Sequence, residues 1–163
     1  MRLADNSVLD ELKALAGRHD RSAWQRAAEL IRRSGRYRWV GLYQVTETEI
    51  RAVAWTGSIP PQFPVFSREA GLNGVAVRTK APVVSQDVAN DPRYLTTFSN
   101  TGSEAVIPVI SDAGHVLGTI DVESERRNAF SVDDELFLAA CAASLRPLWE
   151  SARRQPLPTV GDA

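Results

Sequence analysis

Residues 103–124 read Ser-Glu-Ala-Val-Ile-Pro-Val-Ile, then Ser-Asp-Ala-Gly, then His-Val-Leu-Gly-Thr-Ile-Asp-Val-Glu-Ser. Two β-rich runs flank a short segment in which Asp112 and Gly114 can reverse the chain, which predicts a β-hairpin. Side chains alternate along a strand, so Val116, Gly118, Ile120 and Val122 should share one face. Leu117, Thr119, Asp121 and Glu123 then share the other. Two carboxylates at i and i+2 point the same way, and Glu104 on the paired strand lies near them if the hairpin is in register. Such a trio repels itself and calls for water or a cation, unless it is simply a solvated acidic strand end. Gly118 inside the strand marks a bulge or a close backbone approach, and Pro108 removes one ladder donor.

The rest of the chain frames this hairpin. Its 163 residues suffice for one domain with a sizeable core. Apolar residues make up 44% and charged residues 24%, the balance of an ordinary soluble protein. Lys and Arg number 19 against 20 Asp and Glu, a net charge of −1 that argues against nucleic acid or an anionic membrane as partner. No apolar run reaches the length of a membrane span and the N-terminus carries no signal pattern, so the expectation is a cytoplasmic protein. The single cysteine, Cys141, excludes an intramolecular disulfide and a cysteine-based zinc cluster. It lies in an apolar helical run, as a small buried hydrophobe would. His19 and His115 stand apart from any ligand spacing, so no metal and no cofactor are expected.

In chain order, Val8, Leu9, Leu12 and Leu15 recur at helical spacing until Gly17. A second helix is predicted from an N-cap at Ser22 to Ser34, with Gly35 just past its end. Residues 38–46 form an aromatic-rich strand in which Trp39, Gly41, Tyr43 and Val45 share a face. Residues 50–55 are its hairpin mate, and residues 63–66 a short strand. Residues 71–79 suit a short helix, with Leu72, Val75 and Ala76 on one face. Residues 81–85 form another strand, and the polar loop from Asp87 to Thr101, holding Tyr94 and Phe98, suits a lid over a site. Ser131-Val-Asp-Asp134 resembles a capping box at the start of a last helix. Val132, Leu136, Ala140 and Ala143 make one apolar stripe on that helix; Phe137, Cys141, Leu145 and Leu148 make a second. Pro147 should kink or end it, and the chain from Ala152 onward is expected to be disordered. Helices flanking a largely antiparallel sheet give an α+β fold.

Over residues 20–150 the chain resembles a GAF domain. The matching pieces are Trp-Val-Gly-Leu-Tyr (39–43), Gly-Leu-Asn-Gly-Val-Ala (71–76), Pro-Val-Val-Ser-Gln-Asp-Val (82–88), Val-Ile-Pro-Val (106–109), residues 114–124 and Phe-Ser-Val-Asp-Asp-Glu (130–135). The resemblance implies a PAS/profilin-like central antiparallel sheet, terminal helices on one face, a ligand pocket on the other, and dimers through the terminal helices. It divides the chain into a helical extension (1–19), the domain (20–150) and a tail (151–163). Within the family the chain is similar to the free methionine-(R)-sulfoxide reductases, which carry over Trp39, Tyr43, Glu104, Asp121 and Glu123 as ligand-binding positions. Carboxylates suit an ammonium, and an aromatic wall suits its apolar stem. The family's cysteine positions fall on Phe63, Asn73 and Thr97, which cannot perform thiol chemistry. The expected function is therefore a non-catalytic module that binds a small amine or amino-acid-like molecule and signals by dimerisation or partner binding. The alternatives are a divergent reductase, or an interaction module with a vestigial pocket.

Overall fold

The computed structural model describes residues 3–18 and 20–154. In chain order the elements are α1 (Leu3–Ala16), α2 (Arg21–Gly35), β1 (Trp39–Val45), β2 (Glu49–Thr56), β3 (Val65–Ser67), α3 (Gly71–Thr79), β4 (Val83–Ser85), β5 (Ser103–Ile110), β6 (Val116–Ser124) and α4 (Val132–Arg154). The six strands form one antiparallel sheet in the order β3-β2-β1-β6-β5-β4. Helices α1, α2 and α4 cover one face; α3 and the 87–101 loop lie on the other.

Alternation along the strands builds two separate interiors. Val40 and Leu42 of β1, with Ala105, Ile107, Ile120 and Val122 of the β5–β6 hairpin, join Leu9, Leu12 and Leu15 of α1 and Trp24, Ala27 and Ile31 of α2 in the helix-side core. Phe137, Leu138, Cys141, Leu145 and Trp149 of α4 complete it. Intervening residues face the other way: Trp39 and Tyr43 pack with Ile50, Ala52, Val77 and Phe98.

The hairpin alternation has one defect. Val109 pairs with Gly118 but Ile110 pairs with Val116, so Leu117 is the extra residue of a bulge. Leu117 thus joins the helix-side core, while Val116 packs against the Trp39–Tyr43 cluster, the reverse of the expected faces. Thr119, Asp121 and Glu123 keep their predicted side. Gly118 permits a contact through the sheet, because a Cβ there would lie 1.8 Å from Trp149 Nε1. The Trp149 indole instead reaches β1 and donates to the Tyr43 carbonyl at 2.8 Å.

Several local expectations shift. Asp20, not Ser22, caps α2, accepting from Ala23 N at 2.8 Å while Ser22 Oγ donates to it. Gly35 remains helical, and Arg36 takes the left-handed conformation that ends the helix (φ 55°). Phe63 lies outside β3; Pro64 cannot donate, and only its carbonyl is used, by Ala52 N. The capping box at α4 forms as expected, with Ser131 N donating to Asp134 and Asp134 N to Ser131 Oγ. Pro147 does not end α4, which runs on to Arg154. Residues 152–154 are thus helical where the tail was expected to begin; residues 155–163 lie outside the described residues. Of the two apolar stripes on α4 only the second is buried: Val132 and Leu136 are 72% and 58% exposed.

Gly118→Ala should drive a methyl group into the Trp149 indole and cost about 1–3 kcal/mol, and Trp149→Phe, which removes the donor and leaves part of the indole's space empty, should cost about 2–4 kcal/mol. Urea midpoints of the two variants check this; a Gly118→Ala midpoint equal to that of the parent would refute it.

Candidate functional site

The antiparallel register places the three acids together. Glu104 pairs with Glu123, and Val106 with Asp121, so Glu104, Asp121 and Glu123 share one face within two residues of each other. Ligand-type oxygens of all three lie within 4.8 Å of one another. The solvated reading of this strand end fails on depth: Glu104 and Asp121 are 4% exposed and Glu123 1%. β1 lies beside β6, with Trp39 opposite Glu123 and Tyr43 opposite Thr119. The indole and phenol rings stand 6.4 Å apart with Gly41 between them, where a Cβ would strike both. All five residues expected at the site are therefore neighbours, and all are buried.

Other residues close the site, and the sequence did not single out their roles. Phe98 of the 87–101 loop lies on Trp39, with ring centroids 5.4 Å apart, and carries the Arg38 guanidinium 4.8 Å above its own ring. From the same loop, Thr97 Oγ1 donates to Glu123 Oε1 at 2.7 Å and Thr101 Oγ1 to Glu123 Oε2 at 2.5 Å. Arg38 Nη2 donates to the same Oε2 at 2.9 Å. From α3, the buried Asn73 donates through Nδ2 to Asp121 Oδ2 at 2.8 Å and accepts from Thr119 Oγ1 at 2.5 Å. Asn73 and Thr97, expected at cysteine positions, thus each hold one of the acids. Phe63 makes no such bond among the described residues.

These contacts divide the three carboxyls electrostatically. Glu123 has three donors, one of them cationic; burial raises its pKa on balance, and Thr101, Thr97 and Arg38 oppose that rise. Of the three carboxyls it is the one paired with a cation. Asp121 has Asn73 on Oδ2, and its carboxyl is also hydrogen-bonded to that of Glu104. Burial foremost, then the Glu123 charge, pushes Asp121 up to about 8, while Asn73 and Glu104 oppose the rise. Burial and the neighbouring charges of Asp121 and Glu123 push Glu104 well above the usual carboxylate range. Two carboxyls can bond to each other only through a proton, which Glu104 carries.

These three acids are the one grouping among the described residues with the spacing of a metal site. The donor arrangement does not favour a metal: both Glu123 oxygens and one Asp121 oxygen already accept hydrogen bonds. A hard divalent ion would need six or more oxygens. What remains available is one carboxylate edge beside an aromatic wall, the dress of an organic cation.

Raised carboxyl pKa values carry a definite sign. A carboxyl protonated in the folded state and ionised in the unfolded chain contributes most below its unfolded pKa, and its contribution falls as pH rises toward the folded pKa. For Asp121 the window runs from 3.8 to about 8. Asp121→Asn should flatten the loss of thermal stability across that window, most visibly at its alkaline end. Melting temperatures of parent and variant that fall in parallel over the range would contradict this.

A model of the GAF domain matches residues 21–146. The chain is 31% identical over 101 residues to GAF domain-containing protein A of Dictyostelium discoideum, covering 61% of this chain and 62% of that protein. It is 30% identical over 107 residues to the free methionine-R-sulfoxide reductase of Saccharomyces cerevisiae, covering 64% of this chain and 58% of that enzyme. The matches thus span about three-fifths of the length of these relatives. Among solved structures, the type II free methionine-R-sulfoxide reductase of Thermoplasma acidophilum is 32% identical, with a TM-score of 0.76 over 85% of this chain and 95% of that one. The free methionine-R-sulfoxide reductase of Neisseria meningitidis, solved with its substrate, is 26% identical, with a TM-score of 0.82 over 92% and 90% of the two chains. By sequence and by architecture, the chain belongs to the GAF domain family.

Proposed function

We propose that this protein is a non-catalytic GAF receptor for a small organic cation, an amine or amino-acid-like molecule. The observation that carries the proposal is the buried trio Glu104, Asp121 and Glu123 beside the Trp39–Tyr43 wall. An ammonium group would offset the charge of the trio, while its apolar stem would lie against the rings. The 87–101 loop, which supplies Thr97, Phe98 and Thr101, is the segment that opens to admit the molecule. Arg38 keeps Glu123 in place throughout.

A reductase reading has less support. Reduction of a sulfoxide needs a thiolate at the substrate sulfur and a second thiol to resolve the intermediate. The one thiol, Cys141, sits in the helix-side core across the sheet from the acids, and burial raises its pKa. In this proposal the protein works in the cytoplasm, without cofactor, and occupancy is passed on by self-association or by a partner. The exposed Val132 and Leu136 of α4 favour that output.

Isothermal titration with methionine sulfoxide, methionine and butylamine tests the receptor. At least one should give heat, and Asp121→Asn should weaken it tenfold or more, about 1.4 kcal/mol. Trp39→Ala should weaken it comparably. No heat with any of the three would defeat the receptor, and thiol-dependent turnover of methionine sulfoxide would restore the enzyme reading.

A further inference from the structure

At the end of β1 away from the acids, the two central strands of the sheet part. β1 runs to Val45 and β6 starts at Val116, yet their pairing stops at Gln44 and Gly118. The bulge at Leu117 falls at the same point, and bulges recur next to active sites because they re-aim side chains. A hollow of about 550 Å³ lies here, between these strand ends, the last turn of α4 and the segment joining β3 to α3. That volume is within the range of small-molecule pockets.

The lining is divided by chemistry. Val45, Val116, Leu117 and Ala152 supply an apolar floor, while Arg68, His115 and Arg153 bring nitrogen donors from three separate parts of the chain. Arg68 is held in place, its backbone N donating to the Thr48 carbonyl at 3.0 Å and its Nη1 to the Thr46 carbonyl at 3.1 Å. His115 closes the β5–β6 turn, its N donating to Ser111 Oγ at 3.1 Å and its carbonyl accepting from Ser111 N at 2.9 Å. Beside that turn, Lys80 Nζ donates to the Gly114 carbonyl at 2.8 Å and adds a further positive charge. Neither Arg68 nor Arg153 is ion-paired among the described residues, although Glu47 stands on the same rim. The wider groove along α2 differs, since its Arg18, Arg26 and Arg33 each have a carboxylate partner.

We propose that this hollow binds a small organic oxyanion, a phosphate or carboxylate head carried on a short apolar body. Arg68 and Arg153 hold the head by charge-assisted hydrogen bonds, and His115 adds a ring donor. The body lies on Val45, Val116 and Leu117, which a bare inorganic anion would leave uncovered. An organic cation fits poorly, because two unpaired guanidiniums outweigh the single carboxylate of Glu47. A bound anion joins Arg68, just ahead of α3, to the last turn of α4, one turn beyond the Trp149 that holds the Tyr43 carbonyl. The inference is independent of the receptor reading, whose acids face Trp39 at the opposite end of β1.

Nuclear magnetic resonance titration of the full chain with phenyl phosphate and benzoate tests the site, with inorganic phosphate and benzyl alcohol as the two halves of the chemistry. At least one of the first two should shift the amide signals of residues 44–47, 115–117 and 152–153 saturably, and the tighter of them identifies the head. Inorganic phosphate and benzyl alcohol should each bind about fivefold more weakly or worse. Arg68→Gln and Arg153→Gln should each weaken the tighter probe by about fivefold or more, whereas Glu47→Gln should strengthen it about twofold. Amide signals that stay in place elsewhere show that these variants fold. No saturable shift with phenyl phosphate or benzoate overturns the proposal, as do shifts confined to the arginines of α2. Inorganic phosphate binding as tightly as phenyl phosphate removes the organic body from it, and a Glu47→Gln variant that binds more weakly refutes the charge argument. None of these titrations touches Asp121, so failure here leaves the amine receptor standing, and failure there leaves this site standing.

Discussion

The register of β5 against β6 governs the far side of this molecule. With Glu104 opposite Glu123, the acids project away from the helices and Ile107, Ile120 and Val122 project toward them. A slip of one residue would exchange the two sets, burying carboxylates against Leu138 and Leu145 and exposing the hairpin's apolar residues. That penalty pins the hairpin. The bulge at Leu117 is confined to the turn end, so the alternation is intact where the acids sit.

Held in place by the sheet, the acids are then arranged by groups from three other parts of the chain. Arg38 comes from just before β1, Asn73 from α3, and Thr97 and Thr101 from the loop that also lays Phe98 on Trp39. Each bond fixes a carboxyl orientation and lowers the cost of burying it. The Asn73 amide and the Thr97 hydroxyl thus serve as scaffolding for Asp121 and Glu123.

Much of this was legible in the sequence, for identifiable reasons. Alternation in residues 116–124 and 39–45 assigned Thr119, Asp121, Glu123, Trp39 and Tyr43 to faces, and the Ser131–Asp134 cap announced α4. Depth was not legible. Alternation says which side a carboxylate faces, not whether Asn73, 48 residues from Asp121 in sequence, will lie over it. The pairing of Arg38 with Glu123 leaves no local signal, because the two lie 85 positions apart in the chain. The bulge left no mark beyond Gly118, which was taken for either a bulge or a close approach and turned out to lie beside both. The exposure of Val132 and Leu136 was not legible either, because apolar spacing looks the same whether or not another element covers it.

The hydrogen bond from Trp149 to the Tyr43 carbonyl forms on the helix face of the sheet, in the space that Gly118 leaves. Tyr43 therefore belongs to both halves of the protein: its ring packs with Trp39 and Phe66 on one face, and its peptide is gripped from behind by the long C-terminal helix. The two faces of the sheet are therefore fastened together at a single peptide, and the fastening comes from an element whose outer surface still shows bare aliphatic side chains.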